Sequence, residues 1–168
     1  MIITEIVSNL KEADLNGKSI DYFELEWYET AKRILHKKTS SGQEIILKFM
    51  TQVQNLTEGD VLYEDIQKLI VVRIMPTDCI VIKPSSMYEM AYVCYEIGNK
   101  HLPLFYENDE LLIPYEAPIF TMFQAAKLCP LKEIRKLLHP LKTTVSNHNH
   151  IGSKSLFSRI LQMTSSNE

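Results

Sequence analysis

The amino-acid sequence predicts an α+β protein: a small all-β domain, then a ferredoxin-like β-α-β-β-α-β domain, then a flexible C-terminal tail. Three observations lead to this prediction. Residues 1–75 contain several strand patterns and no convincing 3.6-residue apolar repeat, whereas residues 76–145 alternate between strand and helix patterns. Residues 146–168 are polar except for one short apolar patch. We therefore expect two domains, 1–75 and 76–145, followed by a tail.

The first domain is predicted from alternation and turn chemistry. In DYFELEW (residues 21–27), Phe23, Leu25 and Trp27 share one face of a strand. RILHKKT and QEIILKF flank Ser40-Ser41-Gly42, which predicts a β-hairpin. KLIVVRIM, near the end of this domain, is β-branched and almost continuously apolar, as is typical of a buried strand.

Met75-Pro76-Thr77-Asp78 is the predicted boundary between the two domains. Proline has no N–H to donate to a strand ladder, and it restricts the backbone of the residue before it. CIVIKP then predicts a strand, and LPLFYENDELLIPY predicts two short strands around a Glu-Asn-Asp turn. The segment from Leu131 to Val145 is ambiguous and fits a short helical turn followed by a last strand, LKTTV. In a ferredoxin-like β-α-β-β-α-β domain, the two helices pack on one face of a four-stranded antiparallel sheet.

Two helices complete the second domain. Ser85 or Ser86 caps the first, with Glu89 placed to complete a capping box, and Gly98-Asn99 is expected to end it. The second runs from about Glu116 to Leu128, with a proline in its first turn. Residues at three- and four-residue spacing predict the apolar face of the first helix: Met87, Met90, Ala91, Cys94 and Ile97.

Composition and charge exclude several classes of protein. The chain has 168 residues, 45% of them hydrophobic and 23% charged, which describes a folded globular protein rather than a disordered one. Its net charge of −3 and the absence of a basic stripe argue against a nucleic-acid partner. No apolar run is long enough to cross a bilayer, and MIITEIVSNLKEAD does not resemble a signal peptide. We therefore expect a cytoplasmic protein without a membrane partner.

The cysteines predict free thiols rather than a disulfide framework or a metal site. Cys79, Cys94 and Cys129 are odd in number, widely spaced and without a CxxC pair, which suits a reducing compartment. Such cysteines serve more commonly as small, buried apolar residues than as metal ligands.

The histidines are the candidate ligands. His148 and His150 form an HxH pair, and an extended chain places residues i and i+2 on the same side, where two imidazoles can face one cation. HxH also occurs by chance in polar tails. For His36, in a charged strand, and His139, before a proline, a surface role is the better interpretation.

His101 follows the predicted end of the first helix, where the negative end of the dipole favours a cation. One imidazole cannot hold a transition metal alone, but a two-fold axis would supply a second His101 at the same point. The competing interpretation is a histidine that caps the helix by binding its last carbonyls. The residues alone leave both interpretations open.

Several segments together resemble the UreE-type urease accessory proteins. These are GNKH (residues 98–101), the KPSSMYEMAYVCYEIGN before it, the LPLFYENDELLIPYEAP after it, and NLTEGDVLYED in the first domain. The similarity extends from about residue 1 to about residue 150, through both predicted domains. Lys100 stands where arginine is more usual, the tail has one HxH rather than a histidine-rich run, and the residues beyond His150 lie outside the usual pattern.

The resemblance implies a cytoplasmic nickel metallochaperone with a β-rich, peptide-binding-like domain and a ferredoxin-like metal-binding domain. It implies a homodimer in which His101 of both copies meets at the interface, with His148 and His150 as additional ligands. Nickel would pass to the urease accessory GTPase and the urease apoprotein complex. Imidazole shells also bind zinc and copper, so affinity alone does not select nickel. Whether loaded dimers associate into tetramers stays open.

The sequence does not predict an enzyme. It contains no phosphate loop, no GxSxG, no HExxH and no Ser/His/Asp ordering. An enzyme with His101 as general base is the weakest hypothesis, because no partner group is evident. The main alternative to a nickel carrier is a metal-independent peptide- or protein-binding module, in which His101 only caps a helix.

Overall fold

The computed structural model describes residues 1–12, 17–49 and 55–141. These residues form two sheet-rich halves, the first all-β and the second with a β-α-β-β-α-β order, so the predicted α+β fold is confirmed. None of the helices in these ranges has the length and apolar character needed to cross a membrane. The predictions for the tail, residues 146–168, and for the strand residues after Leu141 fall outside the described part of the chain.

The first half folds into two sheets. A three-stranded sheet has the order β1-β5-β4 and a four-stranded sheet the order β2-β6-β7-β3. The pairs β1–β5 and β3–β7 are parallel, and the others are antiparallel. The strands are β1 (Ile2–Ile3), β2 (Ser8–Asn9), β3 (Ser19–Leu25), β4 (Ile34–Lys38), β5 (Glu44–Lys48), β6 (Asp60–Glu64) and β7 (Lys68–Ile74).

Local sequence signals explain several strands of this half. The predicted hairpin is confirmed as β4 and β5, and Gly42 in its turn has φ 91°, a conformation that favours glycine. The predicted buried strand is confirmed as β7, where five of seven residues are buried. Phe23 and Leu25 of β3 are fully buried on one face, as alternation predicts.

Trp27 does not continue β3, so its prediction as a strand residue is wrong. Trp27–Glu29 form a 3-10 helix instead. The cause is Glu29, whose carboxylate accepts a hydrogen bond from the backbone N–H of Glu26 at 3.0 Å and one from Lys37 Nζ at 2.7 Å. This turn brings the Trp27 ring against the second half, where it meets Phe105 edge to face with the ring centroids 5.7 Å apart.

A buried carboxylate joins β3 to the hairpin turn. Asp21 is 5% exposed and accepts hydrogen bonds from Thr39 Oγ1 at 2.7 Å and from the backbone N–H of Ser41 at 2.9 Å. Lys68 Nζ of β7 lies 2.8 Å from its Oδ2. Burial alone would raise the pKa of Asp21, but the bonds from Lys68, Ser41 and Thr39 outweigh burial and hold this pKa well below its ordinary value.

The second half is a four-stranded antiparallel sheet of order β11-β8-β10-β9, the ferredoxin-like arrangement. Both helices cover one face, where their side chains pack on Ile80, Ile82, Leu111 and Ile113. The elements are β8 (Thr77–Ile82), α1 (Met87–Asn99), β9 (Phe105–Glu107), β10 (Glu110–Pro114), α2 (Ala117–Ala125) and β11 (Leu131–Arg135).

Two boundaries in this half differ from the prediction. Residues 131–135 form a strand rather than a helical turn, because they pair with β8 over five positions from Leu131 opposite Val81 to Arg135 opposite Thr77. The second helix ends at Ala125 rather than Leu128, and Lys127 after it has φ 60°. The pairing of residues 131–135 with β8 is a tertiary contact, which the local periodicity of the sequence does not predict.

The face of this sheet opposite the helices packs against the first half. Cys79, Val81, Phe105, Leu112 and Leu137 form its apolar cluster, with Trp27 against them. After β11 the chain crosses to the other edge of the sheet, where the N–H of Leu141 donates to Leu104 O at 2.8 Å. A salt bridge of 2.7 Å between Lys136 and Glu58 also joins the two halves.

Candidate metal centre

Helix α1 positions the candidate ligand and begins after Ser86, one of the two predicted N-cap residues, but Glu89 does not complete the predicted capping box because it binds Ser85. The side chain of Ser86, the N-cap, accepts a hydrogen bond from the N–H of Glu89 at 3.2 Å. The Glu89 carboxylate in turn accepts bonds from the backbone N–H and hydroxyl of Ser85 at 2.7 and 2.8 Å. The Glu89 N–H bond satisfies one of the donors that a helix start leaves unpaired, and the Glu89 carboxylate holds the residue before the N-cap.

The buried face of α1 is only partly the predicted one. Val93 and Ile97 are buried and Met90 and Cys94 are partly buried. Met87 and Ala91, which the spacing also assigned to this face, are exposed. The face that packs on the sheet is therefore shifted around the helix relative to the prediction.

The other side of α1 presents an exposed apolar stripe. Met87 is 85% exposed, Tyr88 79% and Tyr95 67%. Tyr88, Ala91 and Tyr95 follow one another at helical spacing, so they share a face. The stripe runs toward the end of the helix that leads into His101, and such a surface is typical of a protein–protein contact.

The helix ends in a Schellman motif centred on His101. The N–H of His101 donates to Gly98 O at 3.0 Å and the N–H of Leu102 donates to Ile97 O at 3.2 Å, which is the paired bonding of that motif. Leu102 and Ile97 also pack in the same apolar cluster. The helix ends at Asn99, as predicted, but the left-handed conformation expected at Gly98 or Asn99 occurs at His101 instead.

His101 itself has φ 54°, in the left-handed region where glycine is the usual residue. Histidine in this conformation is uncommon and costs about 1 kcal/mol or more relative to an unstrained backbone. The side chain is exposed at the surface. The end of α1 therefore places an exposed histidine on a left-handed backbone, at the position expected for the candidate ligand.

Comparison with known proteins identifies the family to which the chain belongs. Residues 3–75 match the family model described as the UreE urease accessory protein N-terminal domain, and residues 77–155 match the corresponding C-terminal domain. The chain belongs to the UreE family of urease accessory proteins. The resemblance noted from GNKH and its flanking segments is thereby confirmed.

Curated UreE proteins are similar over most of this chain. The urease accessory protein UreE of Flavobacterium johnsoniae is 48% identical over 163 residues, which cover 97% of this chain and 99% of that protein. UreE of Acetivibrio thermocellus is 41% identical, covering 89% of this chain and 97% of that protein. UreE of a Haemophilus influenzae strain is 39% identical, covering 84% and 78%.

The remaining histidines of this UreE-family chain do not join His101 in the described residues. His36 lies on β4, exposed, with Nε2 3.9 Å from Glu44. His139 is exposed and its carbonyl accepts a hydrogen bond from the N–H of Tyr106, which agrees with a surface role. His148 and His150 lie outside the described ranges. Within 1–12, 17–49 and 55–141, no three histidine, cysteine, aspartate or glutamate side chains gather as a metal site.

The cysteines are free thiols, as predicted, but differ in burial. Cys79 is buried and Cys94 partly buried, and in both burial raises the pKa of the thiol. Both therefore stay protonated near neutral pH and are poor metal ligands. Cys129 is exposed, so its prediction as a buried small apolar residue is wrong.

Sequence reasoning missed two features of this region. The tyrosines of α1 alternate with its core residues in MYEMAYVCYEIGN, and Tyr88 and Tyr95 at i and i+7 were the available signal for an exposed apolar stripe. The left-handed conformation of His101 had no local signal, because Gly98 and Asn99 just before it are stronger candidates for that role.

Proposed function

We propose that this UreE-family chain is a nickel metallochaperone that acts as a homodimer. Two copies bring His101 together at a shared interface, and His148 and His150 complete the nickel shell. The ion is the cargo of the protein, delivered through the urease accessory GTPase to the urease apoprotein complex for active-site assembly. Membership of the UreE family and the urease accessory role named for the relatives support this proposal.

The main support is the conformation of His101. Its backbone is left-handed within two hydrogen bonds of the Schellman motif, and the residue is exposed directly after α1, the helix that carries the stripe. In the described part of one chain, no group of three or more histidine, cysteine, aspartate or glutamate side chains could hold a metal ion. A two-fold axis through this surface would bring two imidazoles to one point, and borderline nitrogen ligands suit nickel, zinc and copper.

We also propose that the chain divides near Met75-Pro76, with domains of residues 1–75 and 76–145 and a separate tail, 146–168. The strand β7 ends at Ile74 and β8 begins at Thr77, and each half has its own apolar cluster, which supports this division. Selectivity for nickel over zinc and copper then depends on coordination geometry and on the partner that receives the ion.

Isothermal titration with nickel tests the proposed site. The intact chain should bind about one ion tightly per dimer, and His101→Ala should lose that affinity by about 100-fold or more, because a ligand is removed. A chain shortened after Val145 should bind more weakly or with fewer ligands, yet still require His101. His36→Ala is the matched control, since His36 is an exposed histidine on a strand of the other half. Unchanged nickel affinity in His101→Ala would exclude the model.

The dimer is tested separately on the α1 stripe. Tyr95→Glu places a charge in an apolar contact, so it should convert the dimer to monomers and weaken nickel binding with it. Ile66→Glu is the control, because Ile66 is 91% exposed but lies in the first half. Size-exclusion chromatography with light scattering measures both variants. A Tyr95→Glu chain that stays dimeric with full nickel affinity would place the interface elsewhere.

The alternative is a metal-independent peptide- or protein-binding module. It predicts that a dialysed sample takes up no divalent ion yet still retains a protein partner. Nickel titration of the dialysed chain therefore separates the two functions.

A further inference from the structure

An open apolar groove lies between the two halves of the molecule. It has a volume of about 430 Å³, within the roughly 300–1,000 Å³ range of ligand pockets and therefore large enough for several side chains. The first half contributes Trp27, Ala31 and Leu56 to its lining, and the second half contributes Phe105 and Leu137. An exposed concave apolar surface of this kind is typical of a binding site.

The chain leaves the described part of the structure beside this groove. Pro140 and Pro103 are both lining residues, and the N–H of Leu141 donates to Leu104 O at 2.8 Å. Whatever follows Leu141 therefore starts at the edge of the groove. The end of the described chain is fixed to the same segment, residues 101–105, that includes His101.

The sequence after this point contains one apolar patch. In SLFSRIL (residues 155–161), Leu156, Phe157, Ile160 and Leu161 are apolar, and on a helix they share one face opposite Ser158 and Arg159. The family model of the C-terminal domain ends at residue 155, so this patch lies just beyond the family pattern. Fifteen residues from Leu141 to Leu156 span up to about 50 Å when extended, so the patch reaches the groove easily.

We propose that the apolar face of residues 155–161 docks into the groove between the two halves of its own chain. A helix this short is marginal alone and gains stability from packing. Docking within one chain is favoured over a separate peptide, because a short tether gives an effective concentration near the millimolar range. A separate molecule also loses translational and rotational freedom on binding.

Docking has a consequence that depends on the proposed nickel function. The segment 142–155, with His148 and His150, becomes a loop held at both ends close to Pro103. Pro103 is two residues from His101. The two tail imidazoles are thereby confined near the imidazole they are proposed to assist, which lowers the entropic cost of completing the metal shell.

The fluorescence of Trp27 tests docking without metal, because Trp27 lines the groove and the chain has one tryptophan. In the metal-free full chain, Phe157→Asp should undock the segment, shift the emission maximum to longer wavelength and increase quenching by acrylamide. Ser158→Asp adds the same charge one residue away on the polar face, and it should leave both signals unchanged. Circular dichroism checks that both variants remain folded.

A groove-side variant completes the test. Ala31 is exposed at the groove, so Ala31→Asp should block docking without disturbing the core. In that background Phe157→Asp should cause no further change in Trp27 emission, as expected for two residues that act through one contact. Equal signals from Phe157→Asp and Ser158→Asp, or additive changes in the double variant, would overturn the proposal. If the difference in Trp27 emission between the original chain and Phe157→Asp disappears on dilution, the occupant of the groove is a second copy of the chain. That result would also overturn the proposal. None of these outcomes depends on nickel, so a failed nickel titration leaves this test intact.

Discussion

Replacement of His101 by glycine is expected to stabilise the protein and abolish tight nickel binding at the same time. Glycine adopts φ 54° without the steric cost that histidine has there, so the free energy of unfolding should rise by about 0.5–1 kcal/mol. The two backbone bonds of the Schellman motif, to Gly98 and Ile97, remain available in the variant. The imidazole, and with it the proposed shared ligand, is lost.

Urea denaturation and nickel titration of the same preparation measure the two effects. Asn108→Gly is the matched control, because Asn108 in the β9–β10 turn also has a left-handed backbone, with φ 50°. It should gain similar stability and keep full nickel affinity. A His101→Gly chain that binds nickel as tightly as the original would show that the strain at this position has no connection with the metal.

Asp21→Asn is expected to cause the largest loss of stability among single polar substitutions, about 2–4 kcal/mol at neutral pH. The variant removes the charge that faces Lys68 and turns one acceptor into a donor beside Thr39 and Ser41. The Thr39 hydroxyl, the Ser41 hydroxyl, which also donates to Asp21, and the Lys68 ammonium group then lose part of their bonding at a residue that is 5% exposed. Urea denaturation followed by circular dichroism measures the change.

The same substitution should change the acid sensitivity of the fold. The pKa of Asp21 is lower in the folded chain than the value of about 3.9 expected when unfolded. The ionised carboxylate therefore stabilises the fold fully above about pH 4, and this contribution is lost as the pH falls from there toward the lower folded value. The difference between the original chain and Asp21→Asn should accordingly shrink between neutral pH and pH 3. Glu5→Gln, at an exposed carboxylate, should change stability by less than about 0.5 kcal/mol at either pH.

Much of the fold followed from local sequence signals. The turn residues around Gly42, the β-branched run of β7 and the Ser86–Glu89 cap each act within a few neighbouring residues, and the structure confirms all three. Trp27 was misplaced because its geometry depends on Glu29 bonding to Lys37, on the next strand. Residues 131–135 were misread for a similar reason, since pairing with β8 fixes them as a strand.

The position of His101 after a helix was predictable, but the geometry around it was not. His101 was found from its place after a helix and from the GNKH motif, because helix ends have recognisable composition. Its left-handed backbone and the exposed tyrosines of α1 depend on which face of the helix meets the sheet, which the spacing assigned incorrectly for Met87 and Ala91. The roles of His148 and His150 stay predictions.

The parallel pairing of β3 with β7 has a consequence for how the chain folds. Parallel strands cannot be joined by a tight turn, and Ser19 at the start of β3 binds the carbonyl of Gln67, the residue before β7, 48 residues along the chain. The entropy of closing so long a loop is lost before its contacts form, which slows folding relative to local hairpins. During synthesis, β3 therefore remains without its parallel partner until β7 has been made, when nearly half of the chain is complete.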